Sequence, residues 1–275
     1  MNPGIYRNVP FADYRAWPLP SMSVFKAGRS SALHMKAAME GERQPPSDEM
    51  LLGTALHCAV LEPELMPQRV ACWTGPRRVG REWDSFREQN SDRVILTSGM
   101  YENLVGMTQA LRRHPVLKQF QSTIEDVEVS AVSTVRSGDN AVQAKARADA
   151  LLPDVVLDLK SVRSGDPDQF ARQAGALGYH IQGAHYCQSF DRSRFILATV
   201  ENHPPYDVVV YEMDQAFLDK GRSELERLAG IYAYCVKYDD WRGRSDELET
   251  LEMPEWMLPA GEEITLDGEI ILSGD

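Results

Sequence analysis

No stretch of the chain approaches the roughly 20 apolar residues that a membrane-spanning helix requires, and the opening M-N-P-G-I-Y-R-N-V-P lacks the apolar core of a secretory leader. Both absences lead us to expect a cytoplasmic protein with no membrane partner. Cysteine is scarce: Cys58, Cys72, Cys187 and Cys235 lie far apart and form no C-x-x-C pair. That argues against the usual zinc and iron-sulfur spacings, and it leaves buried free thiols as the expectation rather than a disulfide scaffold. Positive charge is also short, with 29 Lys and Arg against 41 Asp and Glu and a formal net charge of -12. A deficit of that sign at first opposes a nucleic-acid partner, because polyphosphate binding is driven by Lys and Arg. There is no internal repeat.

What is present qualifies the charge argument. Asp239–Asp275 holds 12 acidic and 2 basic residues, so the preceding 238 residues, with 27 basic and 29 acidic, are close to neutral. Local basic groups remain at Arg77, Arg78 and Arg81, at Arg112 and Arg113, and at Lys145 and Arg147. With 275 residues and 43% hydrophobic content, a sizeable core is affordable.

Along the chain, residues 1–20 read as an irregular, proline- and aromatic-rich arm. Ser21 or Ser23 caps a predicted helix to about Met39, and Gly41 to Pro46 is a polar linker. Asp48 begins a helix that stops at Glu62-Pro63, since the residue before proline disfavours the helical region. Residues 64–96 suggest a loop excursion with a helical turn around Glu82 to Gln89. Thr97 or Ser98 caps a helix to Arg113, with a short one after Pro115. Alternation at Val127, Val129, Ala131 and Val135, the turn Ser137-Gly138-Asp139-Asn140 and a return strand to Asp149 predict a hairpin. Val155 to Lys160 is the next strand, Pro167 to Phe190 a long helix, Arg194 to Val200 and Asp207 to Tyr211 two more strands, and Asp214 caps a last helix to about Tyr238. The order predicts an α/β fold whose mixed sheet has at least one parallel pair made by a helical crossover. We expect a single domain over 21–238, helical to about 125 and sheet-based from about 126, followed by an acidic tail over 239–275.

Asp149 stands nine residues before Asp158, and Lys160 two after it. Period-two alternation delivers Asp158 and Lys160 to one face of a strand, and a hairpin through Pro153-Asp154 brings Asp149 within reach of the same cation. Oxygen donors of this kind suit a hard divalent ion such as Mg2+. His57 lies on an otherwise apolar helix, where a core histidine is the ordinary reading; in the company of carboxylates it becomes a metal-ligand candidate that widens tolerance toward Mn2+. Tyr179, Gln182 and Tyr186 fall along one stripe of the helix that follows. Packing accounts for the tyrosines but poorly for a buried amide. His180 and His185 read as surface or packing residues.

Taken together, S-M-S-V-F-K, G-T-A-L-H-C-A-V-L-E-P-E, R-R-V-G-R-E-W, A-R-A-D, V-V-L-D-L-K-S and Y-H-I-Q-G-A-H-Y resemble, in this order, the nuclease domain of the prophage exodeoxyribonuclease VIII family within the PD-(D/E)xK superfamily. The resemblance runs from Ser21 to the last strand. It implies a restriction-endonuclease-like core, with a mixed central sheet flanked by helices behind an N-terminal helical region. It also implies Mg2+-dependent degradation of linear duplex DNA 5′ to 3′, exposing a 3′ strand for phage or prophage recombination in a bacterial host cell. Carried over, His57, Asp149 and Asp158 are metal ligands together with the Leu159 carbonyl, Lys160 is the catalytic lysine, and Gln182 and Tyr186 match the Q-x-x-x-Y helix. Glu128 falls where the family often has an acidic residue, although a solvated strand-end carboxylate is an equal reading. Arg147 faces either its neighbouring carboxylate or a phosphate, and Arg77 and Arg78 either a DNA end or solvent. The family also implies a ring-shaped homo-oligomer and a single-strand annealing partner. The long N-terminal extensions of its larger members are not in this sequence, so a stand-alone nuclease is expected. An endonuclease with the same core, and a catalytically silent DNA-binding accessory protein, remain the alternatives.

Overall fold

The alternating residues on either side of Gly138 do form a hairpin, and it is the centre of the protein in the computed structural model, which describes residues 1–41, 45–254, 257, 265–266 and 269–270. In chain order the elements are β1 (Gly4–Tyr6), α1 (Phe11–Ala16), α2 (Met22–Ala27), α3 (Ala32–Glu40), α4 (Asp48–Leu61), α5 (Met66–Arg69), β2 (Val70–Trp73), α6 (Arg81–Gln89), β3 (Val94–Thr97), α7 (Ser98–Arg113), α8 (Pro115–Gln121), β4 (Asp126–Ser137) and β5 (Asn140–Leu151). They continue with β6 (Val155–Val162), α9 (Pro167–Ala176), α10 (Tyr179–Phe190), β7 (Arg194–Glu201), β8 (Val208–Glu212) and α11 (Gln215–Tyr238). Met1–Arg242 form one compact unit and Gly243–Asp275 another. In the second, β9 (Thr265–Leu266) pairs with β10 (Glu269–Ile270); residues 255–256, 258–264, 267–268 and 271–275 of the acidic tail lie outside the described residues.

Six strands run in the order β1-β4-β5-β6-β7-β8. β4 and β5 pair antiparallel along nearly their whole length, while β5 meets β6 only at Ala150↔Leu157 and Leu151↔Val156. The two strands therefore fork beyond that point. β6 and β7 are parallel, joined by the crossover through α9 and α10, and β8 closes the sheet antiparallel. This is the expected mixed α/β architecture. Helices cover both faces: Phe25, Ile181, Phe190, Leu225 and Leu228 pack on one side, and Leu52, Leu56, Leu104, Met107 and Leu111 on the other. Alanines at 144, 146 and 148 line the first of these faces. Their small side chains let helices lie close to the strand.

Four segments differ from the sequence-based expectation. The helix over 21–39 is two helices, because Ser31 accepts the His34 N–H and caps a new start. The helix over 167–190 is broken at Gly178, whose φ of +67° lies in the left-handed region that glycine enters without steric cost. In the 64–96 excursion, β2 and β3 pair in parallel around α6. Residues 1–20 contain β1, paired with β4, and α1. The buried Lys145 ammonium holds that arm by donating to the carbonyls of Tyr14, Arg15 and Trp17 at 3.1, 2.9 and 2.8 Å.

Candidate active site

In a regular strand, residues two apart share a face. Ala148 and Ala150 do not, since Ala148 packs in the core under α10 and α11 and Ala150 in the core under α4 and α7. Val129 and Val127 part in the same way on β4, Val129 joining the first core and Val127 lining a cavity on the other side. The residues at this switch are Asp149 and Glu128. Their flanking pairs, Val127↔Ala150 and Val129↔Ala148, keep one register, so both strands kink together rather than slip. Glu128 absorbs the kink with φ +48°, a conformation that costs a non-glycine residue ~1–2 kcal/mol. Arg147 steadies it, donating from Nε to Glu128 Oε2 at 2.7 Å and from Nη1 to Ser130 Oγ and the Val9 carbonyl, both at 2.9 Å.

His57, from α4, reaches into this kink. Its Nδ1 lies 3.4 Å from Asp149 Oδ1 and 3.8 Å from Glu128 Oε1, and its Nε2 lies 3.1 Å from the Leu159 carbonyl. Burial alone would push the imidazole pKa down, but the charge and hydrogen bond of Asp149, with Glu128, outweigh it and raise it to about 10. The ring is thus an imidazolium near neutral pH, donating from both nitrogens. Burial would raise the Asp149 carboxyl; His57 and Lys160, with the Leu159 N–H donated to Oδ2 at 2.7 Å, hold it below its usual range. Ligand atoms of His57, Glu128 and Asp149 lie within 4.8 Å of one another. Three oxygens, two carboxylate and one carbonyl, therefore already converge on a single positive group. That donor set fits a hard divalent ion with one imidazole ligand.

Asp158 and Lys160 occupy the opposite face of β6, as the alternation predicts. Asp158, 2% exposed, takes the Gln182 Nε2–H on Oδ1 at 2.7 Å and contacts the Lys160 ammonium through Oδ2. Burial raises its carboxyl and Lys160 opposes this. The net effect leaves the carboxyl above its ordinary value, with Gln182 on one oxygen and Lys160 on the other. Burial likewise would lower the Lys160 pKa, but Asp158 and Asp149 outweigh it and the ammonium ends above its ordinary value. Asp158 is not among the three groups clustered at the kink.

The remaining candidates distribute as follows. Gln182 faces the site, while Tyr186 is buried between Phe190 and Phe195 with its hydroxyl pKa driven well up by burial. His180 is buried against Glu224 and His185 against Ser133, so both are packing residues and neither is at the surface. Arg77 is exposed, and Arg78 pairs with Asp48 at the start of α4. Tyr179, on the stripe with Gln182, and Lys26, which the sequence did not single out, stand beside Lys160. Tyr179 presents its ring 5.2 Å from the Lys160 ammonium, and Lys26 of α2 lies 5.1 Å from the same ring and 3.2 Å from Gln182 Oε1. The i, i+3 spacing from Gln182 marks Tyr179 in the sequence; Lys26 has only its place in S-M-S-V-F-K. A cavity of about 650 Å³ opens beside Asp149, lined by Val60, Leu111, Phe120 and Leu159 with Arg112 and Lys118.

A family profile described as a PDDEXK-like domain of unknown function, DUF3799, matches residues 21–254. No curated protein matches the chain. Among solved structures, a candidate exonuclease from Eubacterium rectale aligns with a TM-score of 0.61 at 15% identity, covering 94% of this chain and 100% of that one, which is a likeness of fold. A phage-related exonuclease from Haemophilus somnus aligns over 78% of this chain and 95% of its own at 11% identity, with a TM-score of 0.32.

Proposed function

The chain belongs to the PDDEXK-like domain family DUF3799, and we propose that it is a Mg2+-dependent exodeoxyribonuclease, tolerant of Mn2+, that hydrolyses linear double-stranded DNA from its ends, 5′ to 3′, leaving 3′ single strands for phage or prophage recombination. One observation carries this reading. At the β5–β6 fork, the His57, Glu128 and Asp149 donors lie within 4.8 Å of one another, and Asp158 and Lys160, in contact on one face of β6, are close enough to feel the Asp149 charge. A metal ion held by Asp149, Glu128, the Leu159 carbonyl and His57 or Asp158 supplies, when bound, a more acidic water and neutralisation of the scissile phosphate.

The protein's own groups do the rest. Gln182 fixes the Asp158 carboxylate by a direct hydrogen bond, and Asp158 in turn keeps Lys160 charged. A charged ammonium at this position orients the attacking water and stabilises developing negative charge, rather than abstracting a proton. His57 must give up its proton before a nitrogen can serve as ligand. Arg147 holds Glu128 in its unusual backbone conformation. The cavity beside Asp149, about 650 Å³, is within the usual size range of small-molecule sites. In the same reading, a homo-oligomeric ring threads the duplex and a single-strand annealing protein receives the 3′ strand.

The test is incubation with linear and with covalently closed circular duplex, with and without Mg2+. We expect only the linear form to disappear, only with Mg2+, and end-labelled substrate to report polarity. Lys160→Ala should slow digestion by ~10²-fold or more, the scale of losing one transition-state donor. Cutting of the circle would replace the exonuclease with an endonuclease, and binding without cutting would leave an accessory protein.

A further inference from the structure

Lys26 has no carboxylate partner among the described residues. Its neighbour in sequence, Arg29, pairs with Glu224, and Lys36 pairs with Asp239. Lys26 makes no ion pair among the described residues; its Nζ donates to the Gln182 carbonyl oxygen at 3.2 Å and sits 5.1 Å from the Tyr179 ring. Lys160 approaches the same ring at 5.2 Å. Two ammonium groups thus share one aromatic ring, and the nearby carboxylate, Asp158, is in contact with Lys160. Lys26, half-buried beside the Lys160 ammonium and without a carboxylate partner of its own among the described residues, is an unfavourably placed cation unless an anion completes the site.

The backbone makes room for this arrangement. Gly178, which separates α9 from α10 at φ +67°, would bring a Cβ within 3.4 Å of Lys26 Cγ and 3.3 Å of Arg29 Nη1. A Cβ there would press on the Arg29 guanidinium and on Ile181, and would meet the Lys26 stem in ordinary contact. Gln182 then links the two halves of the site, since it accepts from Lys26 and donates to Asp158.

We propose that Lys26 contacts a phosphate of the substrate strand, so that Lys26 and Lys160 together clamp the backbone across the Tyr179 ring. This inference rests on the nuclease reading above. Phosphate is the anion that a nucleic-acid substrate delivers here, and a phosphate seated between two ammonium groups supplies the charge that the fold leaves out.

Binding to DNA in the absence of divalent metal, measured across a series of salt concentrations, tests the proposal without calling on activity. Loss of one phosphate contact lowers the slope of log affinity against log salt by ~0.9 on duplex and ~0.7 on single strand. We expect Lys26→Met to show that drop and Lys26→Arg to restore the parental slope. An unchanged slope for Lys26→Met overturns the inference, even if affinity falls, because a purely structural lysine would act equally at all salt concentrations. As a measurement on the unaltered protein, lysine-directed acetylation read by mass spectrometry should find Lys26 protected by DNA; equal labelling with and without DNA also overturns it. If the parent itself does not bind DNA, it is the nuclease reading that fails.

Discussion

Because His57 Nδ1 lies 3.4 Å from Asp149 Oδ1 and its Nε2 3.1 Å from the Leu159 carbonyl, a proton on the ring and a divalent ion compete for the same oxygens. The imidazole pKa, raised to about 10 by Asp149 and Glu128 against the effect of burial, sets the window for that competition. A group raised in the folded state stabilises the metal-free protein fully below its unfolded value of 6.5, and this contribution is lost as pH rises toward about 10. Metal affinity must move the opposite way, rising by up to about tenfold per pH unit between 7 and 10 if one proton is displaced per ion. Calorimetric Mg2+ titrations in two buffers of different ionisation enthalpy should report close to one proton released at pH 7. A pH-independent affinity with no proton release would remove His57 from the competition.

Among the elements, α10 has the most to hold. It carries Gln182 to Asp158 and lies so close to α11 that a Cβ on Gly221 would stand 2.0 Å from the His180 carbonyl oxygen and 3.0 Å from Ala184 Cβ. Gly221→Ala must therefore push the two helices apart, and we expect it to cost ~1–3 kcal/mol, the usual range for overpacking. Chemical denaturation checks this, with an exposed substitution at Lys237 on the same helix as control; a midpoint unchanged from the parent would contradict the close approach. Element starts were legible in the sequence where a capping side chain follows a stretch without helical spacing, as at Ser47, Thr97 and Asp214. The breaks at Gly28 to Ser31 and at Gly178 were not, because apolar spacing continues across both. Pairing of β2 with β3 left no local trace either, since a parallel pair is made by residues more than 20 positions apart.

For the whole molecule, charge is partitioned by compact unit. Beyond Arg242 the sequence holds 10 acidic residues and a single arginine, and this stretch is the second unit. A chain ending at Arg242 should keep the parental melting temperature and bind DNA faster at low salt, an advantage that screening removes at high salt; stopped-flow association at two ionic strengths decides it, and an equal rate at low salt would mean that the acidic unit does not act on DNA approach. The sequence by itself determined the alternation that puts Asp158 and Lys160 on one strand face, the hairpin around Gly138 and the pattern of helices around a mixed sheet, because these follow from the period of a strand or helix within a few residues. Only the tertiary structure decided that His57 reaches a carbonyl 102 residues away, that Glu128 and Asp149 kink together, and that Lys26 meets Gln182 across 156 residues. Such contacts arise where helices settle on opposite faces of a sheet, and no short-range pattern in a chain encodes which side chains that packing brings together.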